Sequence, residues 1–361
     1  MLKKSLLFLI CFVLVIIIVL SFYSCSAKKD KSDYVVAQNT NMFSTIDDVI
    51  CWTTGNNFFI EYNNELKSNL NYNLDIAPYY NNPILIDNYL YYIGGIYDYN
   101  AHEVYIARID YTEDQPKLQK LTEIHNDIFS YTVCNNNLFY ISADNGDIKM
   151  YIKNLSSEKE DIIMNDIFSI NFCTNGETII MGNKIFDIKT KEIKLLSKNE
   201  NLIALGIIDS YYYCYCNNSS NNGYEILQID LNNNSVTNLC LIPYGMDAPK
   251  MRGDKILFTD ISNGCLTVGY YYYDILENNT VTVVDSDNST SRYSETSYEP
   301  VHYDYTMHNN MYYFQYSDIV TRININTKQE ELLQLVSNQT DSNWYTNQYE
   351  WISYSDYCAK N

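Results

Sequence analysis

The feature that most constrains the fold of this chain is an internal repeat. The sequence Asn126–Ser130 (NDIFS) occurs again at Asn165–Ser169, and each copy runs through a short apolar stretch to a cysteine, Cys134 or Cys173. Repeats of roughly 40 residues made of strand-like segments are typical of β-propellers and related all-β arrays. We therefore predict an all-β propeller. Propellers of one architecture carry many functions, so the repeat leaves the function open.

Six units of similar pattern follow one another between about residues 83 and 337. Each unit has a short strand, a polar turn, a continuously apolar second strand, an alternating third strand, and a turn rich in Asn, Asp and Lys before its last strand. Continuous apolar runs of this length are typical of strands that are covered on both faces. The second strands are Leu90–Ile93, Leu138–Ile141, Thr178–Met181, Tyr211–Cys214, Ile256–Thr259 and Met311–Phe314.

Two partial units flank these six. Ile50–Thr53 and Phe58–Tyr62 are predicted strands near the N-terminus, and Tyr349–Tyr354 is a predicted strand near the C-terminus. A composite blade shared by the termini would close the ring and remove two open sheet edges. We therefore predict seven four-stranded blades, with eight as the alternative if each flank builds its own blade.

Residues 1–25 have the layout of an export signal or a membrane anchor. Lys3 and Lys4 precede the apolar run Leu6–Tyr23, which ends at Ser24-Cys25-Ser26. A small residue before a cysteine at the end of such a run resembles a bacterial lipoprotein signal, and this resemblance implies lipid attachment at Cys25. The alternatives are an uncleaved anchor, because the run is just long enough to span a bilayer, and ordinary secretion.

These observations predict three parts: a signal peptide or anchor (1–25), a polar tether (26–45) and a propeller domain (46–361). They place the domain outside the cytoplasm, on the outer face of the cell membrane, with the membrane as a partner through the N-terminal anchor.

The formal net charge of −20 bears on the partners of the chain. An acidic surface repels phosphate backbones, so nucleic-acid binding is strongly disfavoured. The same charge fits solubility at a crowded cell surface or attraction of cations and basic partners. Beyond Cys25, the cysteines of the mature chain are predicted to be mostly free, buried thiols, because there is no CxxC pair. They are Cys51, Cys134, Cys173, Cys214, Cys216, Cys240, Cys265 and Cys358.

The repeated phrase of an aromatic strand, an Ile-Tyr-x-Ile-type strand and a Lys/Asn turn, as at Met150–Leu155, resembles bacterial extracytoplasmic β-propellers. These are similar to the YWTD-type propellers of lipoprotein receptors. The resemblance covers about residues 47–358 and implies a propeller outside the cytoplasm. The Tyr-Trp-Thr-Asp motif is absent, and Cys51-Trp52-Thr53-Thr54 comes nearest to it. The resemblance therefore carries no functional residues over to this chain.

Motifs that carry chemistry are weak. Ser142–Gly146 fits the start of an Asp-box hairpin of the sialidase propellers, but Lys149 stands where that motif has an aromatic residue, so we predict a plain Asx turn. Ca²⁺ is the one cofactor considered, at Asp144–Asp147 or around Asp285 and Asp287, because hard oxygen ligands suit this ion. Neither site has the ligand spacing of a known loop, and we predict no cofactor.

No catalytic constellation stands out in the sequence. The histidines are predicted to be partly exposed turn residues: His102, His125, His302 and His308. There is no Gly-x-Ser-x-Gly elbow, Gly-rich phosphate loop or HExxH helix. We predict no catalytic residues.

The resulting hypothesis is a membrane-anchored, extracytoplasmic and non-catalytic binding or scaffold module for an envelope protein or glycan. Recognition would use the loops and central channel on one face, and the insertion Asp285–Tyr298 is the least regular of these loops. A cell-envelope enzyme acting on glycans or peptides is the alternative. A third hypothesis is a sensor domain that passes a signal to a membrane partner.

Overall fold

The computed structural model describes residues 35–36, 43–54, 57–62, 65–70, 83–98, 101–113, 117–144, 146–165, 167, 169–218, 220, 222–244, 248–262, 267–284, 302–316, 319–341 and 344–353. All of them belong to one compact unit, Val35–Asn361. Their regular structure consists of antiparallel strands. Within these ranges, no helix has both the length and the apolar character needed to cross a membrane.

Seven sheets follow one another along the chain, and we number them as blades 1 to 7. Blade 1 contains β2 (Phe43–Ile46), β3 (Val49–Thr54), β4 (Asn57–Tyr62) and β5 (Glu65–Leu70). Blade 2 contains β6 (Ile84–Ile86), β7 (Tyr89–Asp98), β8 (Ala101–Asp110) and β9 (Gln119–Lys120). Blade 3 contains β10 (Asp127–Cys134), β11 (Asn137–Asp144), β12 (Asp147–Asn154) and β13 (Glu160–Met164). Blade 4 contains β14 (Cys173–Thr174), β15 (Thr178–Met181), β16 (Lys184–Asp187) and β17 (Ile193–Leu195).

The remaining blades complete the ring. Blade 5 contains β18 (Ile203–Ile208), β19 (Tyr211–Asn218), β20 (Gly223–Asp230) and β21 (Val236–Pro243), and β1 (Val35–Val36) pairs with the inner edge of β18. Blade 6 contains β22 (Lys250–Arg252), β23 (Lys255–Ser262), β24 (Thr267–Asp274) and β25 (Asn279–Val284). Blade 7 contains β26 (His302–His308), β27 (Met311–Tyr316), β28 (Ile319–Asn324), β29 (Glu330–Asp341) and a fifth strand, β30 (Trp344–Ser353).

Seven clusters of buried side chains hold the blades together, and each cluster lies between two neighbouring blades. The second strand of a blade contributes to two clusters, because successive side chains of a strand point to opposite faces. In β7, for example, Leu90 and Tyr92 pack against blade 1, whereas Tyr91 and Ile93 pack against blade 3. The cluster between blades 7 and 1 closes the ring. These contacts confirm the prediction of a β-propeller with seven four-stranded blades.

The predicted composite blade is wrong. Blade 1 takes its four strands from one stretch near the N-terminus, and the C-terminal strand β30 pairs with β29 in blade 7 instead. The sequences of β2 and β5 were not recognised as strands, so only two of the four strands of blade 1 were predicted. The ring is therefore closed by side-chain packing, without a strand exchanged between the two ends of the chain.

One face of the propeller carries a repeated hairpin turn. The last residue of the third strand in blades 2 to 7 is Asp or Asn, and its Oδ1 accepts backbone N–H groups at 2.7 to 3.2 Å: Asp110, Asn154, Asp187, Asp230, Asp274 and Asn324. In blades 3 to 7 the residue four positions later has a positive φ: Glu158, Lys191, Asn234, Asn278 and Lys328. Local Asx bonds of this kind favour turns. The Asn, Asp and Lys residues predicted at these turns thus serve a structural purpose.

The two copies of the NDIFS sequence lead into successive blades but differ in structure. The first copy runs into β10, where Ile128 is buried between blades 2 and 3. The second copy precedes the two-residue strand β14, with Ile167 packed between blades 3 and 4.

The sheets also reach into the range 26–45 that the sequence assigns to a tether, because β1 and the beginning of β2 lie there. The division into anchor, tether and domain stays a prediction, since residues 1–34 lie outside the described part of the chain.

Candidate functional site

A cluster of charged side chains lies on the innermost strands of blades 6 and 7. The first strands of the blades form the centre of the ring, where β22 contacts β18 and β26, and β2 contacts β6 and β26. Lys250 and Arg252 lie two residues apart on β22, so their side chains leave the strand on the same side. Both reach β26, where their partners are Asp304 and Thr306. We call these four residues the inner cluster.

Asp304 joins three blades. Its carboxylate is fully buried and forms an ion pair with Lys250 of blade 6. It also accepts the backbone N–H of Phe43 in blade 1 at 3.2 Å and that of Tyr305 at 2.8 Å. A bulge between His302 and Asp304 shifts the register of β26 at this point, as bulges do where a strand re-aims a side chain.

Arg252 is less completely bonded than Asp304. Its Nε donates to Thr306 Oγ1 at 2.9 Å, and its Nη1 donates to the carbonyl oxygen of Met251 at 3.0 Å. Its Nη2 is buried and has no hydrogen-bond partner among the described residues. Burial lowers the pKa of Arg252, and the nearby Asp304 opposes this change. The cluster thus combines two cationic side chains with one carboxylate.

A second charged group joins blade 7 to blade 1. Glu61, on β4, is fully buried and is bonded to three side chains of blade 7. Its Oε1 accepts Tyr313 Oη–H and Arg322 Nη1–H, each at 2.7 Å, and its Oε2 accepts Trp351 Nε1–H at 3.0 Å. Arg322 also donates to Glu331 Oε2 at 2.7 Å and lies over the Trp351 ring, 4.3 Å from its centroid. We call these five residues the closure cluster.

The electrostatics of the closure cluster are those of a buried, paired group. Burial raises the pKa of Glu61, while Arg322 and the three hydrogen bonds oppose the rise. Burial and the neighbouring Glu61 raise the pKa of Tyr313 well out of the physiological range. Each polar atom of Glu61 has a donor, so this cluster stabilises the ring and offers no free group to a ligand.

A histidine-centred group lies between blades 2 and 3. Ser142 Oγ lies 3.2 Å from His125 Nδ1, and Tyr140 Oη lies 3.5 Å from His125 Nε2. Tyr140 in turn donates to Glu160 Oε2 at 2.8 Å. Ser142 is buried at 1% exposure. A serine beside a histidine is the arrangement of an activated nucleophile, but here the hydroxyl faces a packed junction.

The predicted metal and lipid sites fall mostly outside the described residues. Cys25, Asp285 and Asp287 lie there, so their predicted roles stay predictions. Asp147 of the Asp144–Asp147 turn is exposed and forms an ion pair with Lys149 at 3.6 Å. Among the described side chains, no group of three or more His, Cys, Asp or Glu is arranged to hold a metal ion.

Two of the four histidines differ from their prediction, whereas the described cysteines agree with theirs. His125 and His308 are buried, not partly exposed, and His125 packs against Tyr140 and Ser142 of blade 3. The side chains of His102 and His302 lie outside the described part of the structure, so their exposure stays a prediction. The cysteines in the described ranges are free thiols: Cys51, Cys134, Cys173, Cys214, Cys216 and Cys240. Burial raises the pKa of the Cys240 thiol to about 12, which makes it unreactive.

Glu61 and Asp304, the two fully buried carboxylates among the described residues, were not predicted from the sequence. Glu61 pairs with Ile50 across the hairpin, and the matching third-strand positions of blades 2, 5 and 7 hold buried isoleucines: Ile109, Ile229 and Ile323. The matching position of blade 3 holds Lys153, so an alignment of the third strands would have marked Glu61 as unusual only against blades 2, 5 and 7. Asp304 gives no such signal.

With the geometry described, the chain can be compared with known proteins. It matches no protein-family model and no curated protein. The β-propeller domain of the Trilobed protease from Pyrococcus furiosus, which has an open velcro topology, is similar in structure, with 11% identity, a TM-score of 0.52 and coverage of 88% of this chain and 97% of that chain. Oligogalacturonate lyase from Vibrio parahaemolyticus has 8% identity and a TM-score of 0.52 over 80% of this chain and 88% of that chain.

A third similar structure is TolB from Acinetobacter baumannii, with 14% identity, a TM-score of 0.41 and coverage of 88% of this chain and 82% of that chain. The chain is a seven-bladed β-propeller. At these identities the similarity concerns the fold alone.

Proposed function

We propose that this protein is a membrane-anchored, extracytoplasmic binding or scaffold module that recognises an envelope protein or glycan without catalysis. The observation that supports the proposal is that buried carboxylates connect neighbouring blades. In the described part of the chain, the two fully buried carboxylates, Glu61 and Asp304, join neighbouring blades. Such bonds favour a rigid disc, and rigid scaffolds with variable loops are typical of binding proteins.

The loops that connect the strands suggest where a ligand binds. The turns between third and fourth strands are short and repeat the same Asx bonds, so they vary little from blade to blade. The connections from one blade to the next differ more in length, and the two longest in sequence, residues 71–83 and 285–301, lie almost wholly outside the described part of the chain. Long connections of variable sequence are the better candidates for recognition.

The proposal is tested by capture in the producing cell. The full chain with a C-terminal affinity tag is expressed, cross-linked and recovered, and the bound proteins and glycans are quantified. In a second variant, residues 285–298 are replaced by a Gly/Ser linker. The matched control carries Asn232→Ser and Asn326→Ser on the turn face, where only the backbone N–H groups of these residues bond to the turn.

The expected result is a stoichiometric protein or glycan that is captured by the intact chain and by the turn-face control, and lost with the linker variant. Equal capture by all three forms would contradict recognition through residues 285–298. Recovery of the tagged chain in the soluble cytoplasmic fraction would contradict the proposed location.

An envelope enzyme is the second candidate, and the neighbouring Ser142 and His125 are the observation that favours it. If this pair is catalytic, the purified chain cleaves an envelope ester, glycan or peptide, and both Ser142→Ala and His125→Ala abolish turnover. Turnover that survives both substitutions excludes this pair.

A further inference from the structure

The inner cluster carries more positive than negative charge. Lys250 and Arg252 both reach β26, and Asp304 is the one carboxylate bonded to them among the described residues. The oxygens of Asp304 are already used by Lys250 and by two backbone N–H groups. Within the described ranges, Arg252 therefore has no carboxylate of its own, in a chain whose formal net charge is −20.

The unpaired end of Arg252 is buried. Its Nε and Nη1 donate to neutral oxygens, while Nη2 is shielded from solvent and has no partner in the described part of the chain. A buried donor without an acceptor is unfavourable, and more so when the group is charged. The planar guanidinium matches a carboxylate, which it can bind through two parallel N–H groups.

We infer that Arg252 and Lys250 form a binding site for a carboxylate at the inner edges of blades 6 and 7. This inference rests on the proposed binding function and names the chemistry that the ligand presents. The ligand is a monocarboxylate, because the cluster has one positive charge in excess and Asp304 repels a second negative charge. Lys250, with 11% of its side chain exposed, connects the cluster to solvent. Tyr305, whose ring lies 4.7 Å from Lys250 Nζ, provides an aromatic wall beside it.

Titration calorimetry and thermal unfolding of the full chain test the inference. The probes are acetate against acetamide, a uronic acid against its amide, and a dipeptide with a free C-terminus against the C-terminal amide, all at constant ionic strength. Each carboxylate and its amide have nearly the same shape, so a difference between them reports the charge. The uronic acid and the dipeptide distinguish a glycan source of the carboxylate from a peptide source.

The expected result is saturable binding of the carboxylates, with binding of the amides weaker by about tenfold or more. Arg252→Gln abolishes that preference, Arg252→Lys retains it in part, and Lys255→Gln leaves it unchanged. Lys255 is a matched control because it lies on the same blade and pairs with Asp254 and Asp274 instead.

Equal binding of each acid and its amide to the unchanged chain would overturn the inference, and this comparison stands even if Arg252→Gln fails to fold. The same preference in the unchanged chain and in Arg252→Gln would overturn it too. This result can be told apart from a failure of the proposed function. The calorimetry tests only the preference for a carboxylate, whereas the capture experiment in the cell tests whether the chain binds a protein or glycan at all.

Discussion

Blades 2 and 7 carry the same pair of side chains in different surroundings. In blade 2, Arg108 faces Tyr91 across neighbouring strands, donates to its hydroxyl at 3.2 Å and donates to Gln119 at 2.8 Å. In blade 7, Arg322 faces Tyr313 at the corresponding position and donates to Glu331 at 2.7 Å. The described bonds of Arg108 stay within its own blade, whereas those of Arg322 extend to blade 1.

One residue of the neighbouring blade makes this difference. Glu61 occupies a position that holds buried isoleucines in blades 2, 5 and 7. Its carboxylate accepts hydrogen bonds from Arg322, Tyr313 and Trp351. The closing junction lacks the covalent connection that leads from each blade to the next. The charge-assisted hydrogen bonds of Glu61 compensate for the missing connection. They stabilise one relative position of blades 1 and 7, which are distant in sequence.

The largest expected effect comes from removing the acid. Glu61→Ala leaves Arg322 buried without its partner across the junction, and we expect a loss of about 3–5 kcal/mol in the free energy of unfolding. Arg108→Ala in blade 2 removes a more exposed group and is expected to cost about 1 kcal/mol or less. Urea unfolding of both variants measures the two losses side by side. Equal losses would mean that the closure cluster contributes no more to the free energy of unfolding than Arg108 does in blade 2.

A smaller effect is expected from the tyrosine hydroxyls. Tyr313→Phe removes a hydrogen bond to the Glu61 carboxylate and should cost about 1.5–3 kcal/mol, since bonds to charged groups are the stronger ones. Tyr91→Phe, its counterpart in blade 2, should cost about 0.5–1.5 kcal/mol. The comparison sharpens if Tyr313→Phe is combined with Glu61→Gln, because the double variant should lose less than the sum of the single ones. Strict additivity would argue against a coupled cluster.

The smallest expected effect is a dependence on pH. Burial raises the folded-state pKa of Glu61 above its ordinary 4.5, so the folded chain holds this proton more tightly than the unfolded chain. Relative to Glu61→Gln, the stability of the unchanged chain should be greatest below pH 4.5 and should fall as the pH rises through the folded-state pKa. Unfolding of the two chains across this range measures the difference. A difference that grows with pH would show that the ion pair outweighs burial.

Local sequence patterns were sufficient for much of the fold. The six apolar second strands and the Asn, Asp and Lys turns lie where their patterns predict them, because alternation and turn chemistry are properties of neighbouring residues. β2 was missed because Phe43–Ile46 is short and follows a polar stretch. Of the candidate sites, the cysteines were predicted as free thiols, whereas Glu61, Asp304 and the burial of His125 were not predicted.

The amino-acid sequence was enough to predict an all-β chain of repeated four-stranded units, six of them complete. The seventh blade was predicted from the need to close the ring, with eight blades as the alternative. How the ring closes, and which charged residues meet there, depends on the packing of the blades in three dimensions. Glu61 is separated from Tyr313, Arg322 and Trp351 by 252, 261 and 290 residues. No local preference acts over such a distance. The partners are selected by the curvature of seven packed blades, which brings the first and the last of them into contact.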